Sequence, residues 1–287
     1  MTIVNYQRTN DKGQRTKDQG QRTNMRLSQA QLKHLETCPR KFQHIYLERL
    51  NPPPNPEQWQ HLSWGSRFHK LMQQRELGLP IASLAACDPQ MQAAINALEA
   101  AAPEIFSTQP PTDTFRQAEH WRSCHFQGYI LTAVYDLLIA DGHSARIFDW
   151  KTYPLSQKTR PLAREWQTRL YLFIMAETSD YPPEMISMTY WFVQSGGKAQ
   201  SLTCTYDNAK HEETQRDLTR ILKRFQGWLQ DYEAGRGLFP QIPLSAAKKC
   251  LECPFALRCQ RLSASNSDTI QAWDNLTNLA DIQEVCL

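Results

Sequence analysis

The 287-residue chain has no run of 18 apolar residues, the length needed for a membrane-spanning helix. It also lacks the basic, apolar and small-residue succession of a secretory signal at its start. A soluble cytoplasmic protein without membrane contact is therefore expected. Its eight cysteines are not read as a disulfide framework. A strong excess of one charge is missing as well: 32 Lys and Arg against 29 Asp and Glu leave +3. That balance permits an anionic polymer as partner, but only local clusters can argue for one. A Gly-x-x-x-x-Gly-Lys-Ser/Thr loop is absent, which excludes a phosphate-loop motor within the chain.

Residues 1–24 repeat a polar heptad, with Gln7-Arg-Thr, Gln14-Arg-Thr and Gln21-Arg-Thr at its successive starts. The repeat has no apolar seam, so it is not a coiled coil, and its composition predicts disorder. Residues 25–262 are expected to form the folded domain and residues 263–287 a tail without assigned function.

What is there begins with a hairpin. Two β-rich runs, Tyr129 to Ala140 and Arg146 to Thr152, flank Asp141-Gly142-His143-Ser144, a strong short-range turn signal. Pairing symmetric about Gly142 and His143 sets Asp136 opposite Asp149, with Cβ atoms roughly 5 Å apart. Lys151 follows Asp149 by two residues and shares its face. A salt-bridged surface hairpin is the plain alternative. The apolar flanks Val134, Leu138, Ile147 and Phe148 argue against it, because partly buried charges need compensation. Two carboxylates so close repel unless a proton or cation lies between them. A hard divalent ion such as Mg²⁺ suits oxygen ligands, and a nearby lysine can orient a water or steady a developing anion. That is equipment for metal-assisted phosphodiester hydrolysis.

Upstream, Ser28 and Gln31 have the spacing of a capping box, opening a helix that breaks at Cys38-Pro39 and resumes through Tyr46. Pro52-Pro53-Pro54 ends it. A second helix is predicted over 63–77, with Gly65 and His69 on one face. Residues 80–107 read as an Ala-rich helical insert. Thr114 to Trp121 reads as a strand containing Glu119. After the hairpin, the loop from Pro154 to Arg164 carries Lys158, Arg160 and Arg164, charges suited to a phosphate backbone. The next helix, over 162–177, places Gln167 and Tyr171 on one face. Strands follow over 185–193 and 201–206, joined by a turn at Ser195-Gly196-Gly197-Lys198. Asn208 is expected to cap a long amphipathic helix.

Cys250, Cys253 and Cys259 fall within ten residues, too dense for simple packing, and their thiolates suit a soft metal centre. Cys38, also followed by Pro, is the candidate fourth ligand, with Cys204 and Cys286 as substitutes. A tetrathiolate site can hold Zn²⁺ or an iron–sulfur cluster; composition does not choose. The remaining cysteines read as small buried hydrophobes.

Taken in order, Ser28 and Cys38-Pro39, Gly65-Ser-Arg-Phe-His69, Asp136, Asp149-Trp-Lys151-Thr152, Gln167-x-x-x-Tyr171 and Cys250-x-x-Cys253-Pro-Phe with Cys259 resemble the PD-(D/E)XK nuclease superfamily. The resemblance is to its RecB- and AddB-like branch and the CRISPR-associated four-cysteine exonucleases, over about 27–262. It implies an α/β restriction-endonuclease-like core, with a mixed sheet flanked by helices. It implies Mg²⁺ or Mn²⁺ on Asp136, Asp149 and His69, Lys151 beside the attacking water, and Gln167 and Tyr171 orienting the site. Glu119 is a further acidic candidate. Cys38, Cys250, Cys253 and Cys259 would hold a [4Fe–4S] cluster joining the N- and C-terminal segments, with structural Zn²⁺ as the alternative. The implied function is a DNA exonuclease of repair or recombination, acting on DNA with a single-stranded end, with a helicase as partner. An idle DNA-binding subunit that keeps the fold is the rival. One departure is Ala133, where the family often has Gly three residues before the first Asp.

Overall fold

The computed structural model describes residues 25–50, 56–106, 113–155, 162–193 and 198–261. The expectations for residues 1–24 and 263–287, for Lys158 and Arg160, and for the turn at 195–197 lie outside the described residues. A two-residue strand, β1 (Arg26–Leu27), precedes helix α1 (Gln29–Thr37). The capping spacing is used: the Ser28 backbone N–H donates to Gln31 Oε1 at 2.8 Å. Cys38 separates α1 from α2 (Pro39–Phe42), whose leading Pro gives up an N–H that no helix would have used there. A π-helical turn, Gln43–Leu47, continues it. Helix α3 spans Pro56–Glu76, two turns longer at its start than the apolar pattern indicated. The insert holds α4 (Ala82–Ala86), α5 (Pro89–Ala101) and α6 (Pro103–Phe106).

Next come β2 (Phe115–Phe126), β3 (Tyr129–Ala140) and β4 (Ala145–Lys151). Asp141 closes the β3–β4 turn, its Oδ1 accepting the N–H groups of His143 and Ser144, each at 2.8 Å. This side-chain mimicry of a turn is why Asp is favoured there. Helix α7 (Trp166–Glu177) crosses over to β5 (Ile186–Phe192), β6 (Gln200–Thr205) returns, and α8 runs over Asn208–Glu233. The cap of α8 is Asp207 rather than Asn208: Asp207 Oδ1 accepts from the Lys210 N–H at 2.8 Å. The carboxylate outcompetes the neighbouring amide for the N-terminal donors.

The strands form one mixed sheet in the order β1-β3-β4-β5-β6, with β2 on the other edge of β3. β1 pairs parallel with Ile130 and Leu131, and β4 pairs antiparallel with Leu137 to Ala140, both along the edge of β3 that β2 leaves free. Between these two contacts the edge of β3 is open, and the candidate site lies at the β4 end of the gap. One face of the sheet carries α1, α2, α7 and α8 over a core that includes Leu32, Phe42, Tyr135, Leu170, Phe173 and Phe225. The other carries α3, α5 and α6, with Phe68, Met72, Leu98 and Ile105 against Leu137, Phe148 and Trp150. Each such buried side chain contributes about 1.5–3 kcal/mol, so the expected insert is a structural layer rather than an appendage. Among the described residues, no helix is long and apolar enough to cross a membrane.

Candidate active site

The pleat of β3 changes phase at Asp136. Leu131, Ala133 and Tyr135 face the α7 side, and beyond Asp136 that side is taken by Leu138 and Ala140, while Leu137 and Ile139 face α3. On β2, the flanking pairs Ala118–Leu137 and His120–Tyr135 put Glu119 across from Asp136. Glu119 has a positive φ of 48°, a left-handed conformation that costs a non-glycine residue energy and recurs at functional sites. On the β4 side, the ladder runs from Ala140–Ala145 to Leu137–Phe148 and stops one pair short of Asp136 and Asp149. The register expected from the Asp-Gly turn therefore holds up to that point, and the ladder then opens.

Side chains fill the opening. Asp136 Oδ2 accepts the Trp150 N–H at 2.7 Å, and His69 Nε2 lies 3.0 Å from the Trp150 carbonyl oxygen. His69 Nδ1 lies 3.3 Å from Asp136 Oδ1. Both ring nitrogens thus face acceptors, an arrangement that suits an imidazolium. Burial lowers the His69 pKa, but the hydrogen bond and charge of Asp136, with Asp149 and Glu119 behind it, outweigh burial and hold it above the usual value. Glu119 is also shifted upward, by burial and by the charge of Asp136. Among the described residues, His69, Glu119 and Asp136 are the His, Cys, Asp or Glu trio whose donor atoms all lie within 4.8 Å of one another.

Asp149 faces α7, as its neighbours on β4 alternate. Gln167 Nε2 donates to Asp149 Oδ2 at 2.6 Å, and Lys151 Nζ donates to Gln167 Oε1 at 2.9 Å. Lys151 Nζ also lies 2.6 Å from Asp149 Oδ1. The ammonium thus sits against the one carboxylate oxygen that Gln167 does not reach, and this ion pair compensates the buried charge. Burial, then the charge of Asp136, pushes the Asp149 carboxyl up to about 6, against the pull of Lys151. Burial alone would lower the Lys151 pKa; the Asp149 charge more than reverses this, so Lys151 remains an ammonium. It also lies over the Tyr190 ring, 5.0 Å from the centroid.

Gln167 and Tyr171 do different work. Gln167 bridges Asp149 and Lys151, whereas Tyr171 is buried behind it, its hydroxyl tied to Gln167 and the Val134 backbone. Gly65 lets α3 approach β4: a Cβ there would lie 2.9 Å from Thr152 Oγ1. Ala133 is buried in the core on the α7 side, so its methyl fills core rather than the cleft at Asp136. Tyr190 had no sequence signal. It reaches the site because β5 pairs parallel with β4, setting Tyr190 across from Asp149, a contact made only through the α7 crossover. Arg164 is exposed.

The trio of His69, Glu119 and Asp136 offers one imidazole and two carboxylates, donors suited to a hard divalent ion. Asp149, expected to join them, stands outside the trio with Gln167 and Lys151 on the α7 side. Over residues 26–260 the sequence matches the PD-(D/E)XK nuclease superfamily. The chain belongs to that superfamily. Two crystal structures are among those it is similar to. One is a "putative exonuclease" from Eubacterium rectale, 13% identical, covering 78% of this chain and 86% of that one, with a TM-score of 0.48. The other, of a protein called SSO0001, is 11% identical, covering 83% of this chain and 88% of that one, with a TM-score of 0.35. Among curated proteins, none matches.

The cysteines of this superfamily member gather apart from the acidic cleft. Cys38, Cys250, Cys253 and Cys259 line one cavity, together with Lys41, His44, Gln241 and Phe255. Of the substitutes for Cys38, Cys204 is buried on β6 across from Met188, in the main core, and Cys286 lies outside the described residues. Cys124, on β2, has its thiol pushed up to about 12 by burial, the behaviour of a packing residue.

Proposed function

We propose that this chain is a Mg²⁺- or Mn²⁺-dependent deoxyribonuclease that digests DNA from a single-stranded end. The arrangement that carries this reading is the open rung, where His69, Glu119 and Asp136 converge at the point at which the β3–β4 ladder has parted, next to Asp149. Glu119, Asp136 and His69, the last on giving up its Nδ1 proton, would hold the ion, with Asp149 as the further ligand the resemblance implies. When bound, it supplies Lewis acidity at the scissile phosphate and a water of lowered pKa. Lys151, an ammonium fixed by Gln167, orients the attacking water and offsets charge developing on phosphate. Tyr171 acts through Gln167. Arg164 and its loop would meet the DNA backbone.

The cysteine cavity is read as a [4Fe–4S] site. The four sulfurs share one cavity, and a tetrathiolate set of this kind can hold an iron–sulfur cluster or zinc. A cytoplasmic role in repair or recombination, beside a helicase, completes the reading.

The test is an anaerobically purified full-length chain assayed on labelled single- and double-stranded DNA with Mg²⁺ or Mn²⁺. Nucleotide release that stops with chelator and with Asp149→Ala is expected. Cleavage by Asp149→Ala at the wild-type rate would overturn the assignment. DNA binding without any cleavage by wild type would favour the idle subunit.

A further inference from the structure

A fifth donor faces the cysteine cavity. His44 is 3% exposed and packs on Phe255, ring centroids 4.9 Å apart. Its position comes from the π-helical turn Gln43–Leu47, where Gln43 and His44 are both buried. Such widened turns recur at functional sites. His44 Nδ1 lies 2.8 Å from Glu48 Oε2. Glu48 also accepts from Gln43 Nε2 at 2.6 Å and from Arg258 Nη2 at 3.3 Å. A carboxylate with these donors acts as an acceptor, so the ring hydrogen sits on Nδ1. In the neutral ring, Nε2 then presents its lone pair to the cavity, 3.5 Å from Cys259 Sγ.

Two features make this a ligand geometry rather than packing alone. A carboxylate behind a histidine, fixing its tautomer and turning its other nitrogen forward, is the usual support of a metal-bound imidazole. The position also fits: Nε2 lies beside Cys259 Sγ at the cavity wall, close enough to reach the metal atom that Cys259 would hold. Imidazole can also replace thiolate on the iron of an iron–sulfur centre.

We propose that His44, held by Glu48, is an alternative ligand for the metal atom that Cys259 serves, so that the cavity keeps a full donor set without Cys259. This rests on the reading of the four cysteines as a metal site and adds a ligand to it. Full-length wild type, His44→Ala, Cys259→Ala and the double variant are purified anaerobically, and bound iron and zinc per chain are measured, with circular dichroism to confirm folding. Wild type and His44→Ala should hold equal metal. Cys259→Ala should retain at least half of it, and the double variant should fall more than tenfold below wild type. A Cys259→Ala protein as empty as the double variant overturns the proposal while leaving the four-cysteine reading intact. A wild-type chain that binds neither metal overturns both. Should Cys259→Ala fail to fold, Co²⁺-loaded Cys259→Ser with ¹⁵N-labelled histidine replaces it. A histidine-nitrogen coupling in its pulsed EPR supports the proposal, and its absence defeats it.

Discussion

Asp149 is a buried carboxylate caught between the charge of Asp136, which opposes its ionisation, and Lys151, which favours it. Its carboxyl is pushed up to about 6 from an ordinary 3.8, so the folded chain binds this proton more tightly than the unfolded chain does. Stability linked to it is fully present below about 3.8 and is lost as pH rises through 6. The shape is testable without metal, in chelator, by comparing unfolding of wild type with Asp149→Asn. The difference should be flat below pH 4 and turn against wild type between 4 and 6, by on the order of 1–3 kcal/mol. Asn keeps an oxygen for Lys151, and the pull of Lys151 on the ionised carboxylate is already contained in the Asp149 value. A difference that stays flat through pH 7 would show that Asp149 is not held against its charge. Lys151 is next in line. Lys151→Gln keeps length and polarity but loses the ammonium, and should lower kcat roughly 10²- to 10³-fold with DNA affinity changed far less. A matching loss in both, read by single-turnover kinetics and binding, would make Lys151 a docking group instead.

At the scale of elements, what was legible in the sequence was local. The Asp141-Gly142 turn fixed the register of β3 and β4, because the turn itself sets pairing, and Ser28 with Gln31 marked the start of α1. The phase change at Asp136 was not legible. A strict period of two would carry the face of Tyr135 on to Leu137, yet Leu137 packs toward α3. The left-handed Glu119 that accompanies it is likewise invisible in composition. The parallel pairings of β1 with β3 and β4 with β5 join strands distant in sequence, and Tyr190 was missed for that reason. Gly65 sits where such elements meet. In a helix interior, Ala is favoured over Gly by about 1 kcal/mol, but here its Cβ would lie 2.9 Å from Thr152 Oγ1, on a side chain stiff at χ1. Overpacking of this kind costs about 1–3 kcal/mol and would displace the residue directly after Lys151. Gly65→Ala should therefore change stability little while cutting kcat at least tenfold, and Thr152→Ala added to it should restore most of the rate. A double variant as slow as the single one would show that Gly65 serves something other than this approach.

Across the whole molecule, the cysteine cavity joins the two ends of the fold, and part of that joint exists in the chain itself. The Arg40 N–H donates to the Pro240 carbonyl at 2.9 Å, the Phe239 N–H to Gln43 Oε1 at 2.8 Å, and Arg258 reaches Glu48 across 210 residues of sequence. Ile242, Cys250 and Ala256 form only a small separate core there. Three buried side chains cannot hold a segment as firmly as the layers over the sheet do, and that contrast is where a metal bound in the proposed way would contribute. A cross-link that closes a loop of this length is worth up to about 5 kcal/mol in chain entropy, and structural metals add binding energy directly to folding. Removing the metal should thus loosen residues 240–261 first. Hydrogen exchange on holo and metal-free chain should show the amides of Cys253, Ala256 and Cys259 losing protection by at least tenfold. Amides of β3 and β5 should change far less, because the cores on both faces of the sheet do not involve the cavity. If both regions lost protection together, the cavity would be an integral part of one cooperative fold, and the acidic cleft could not form without it.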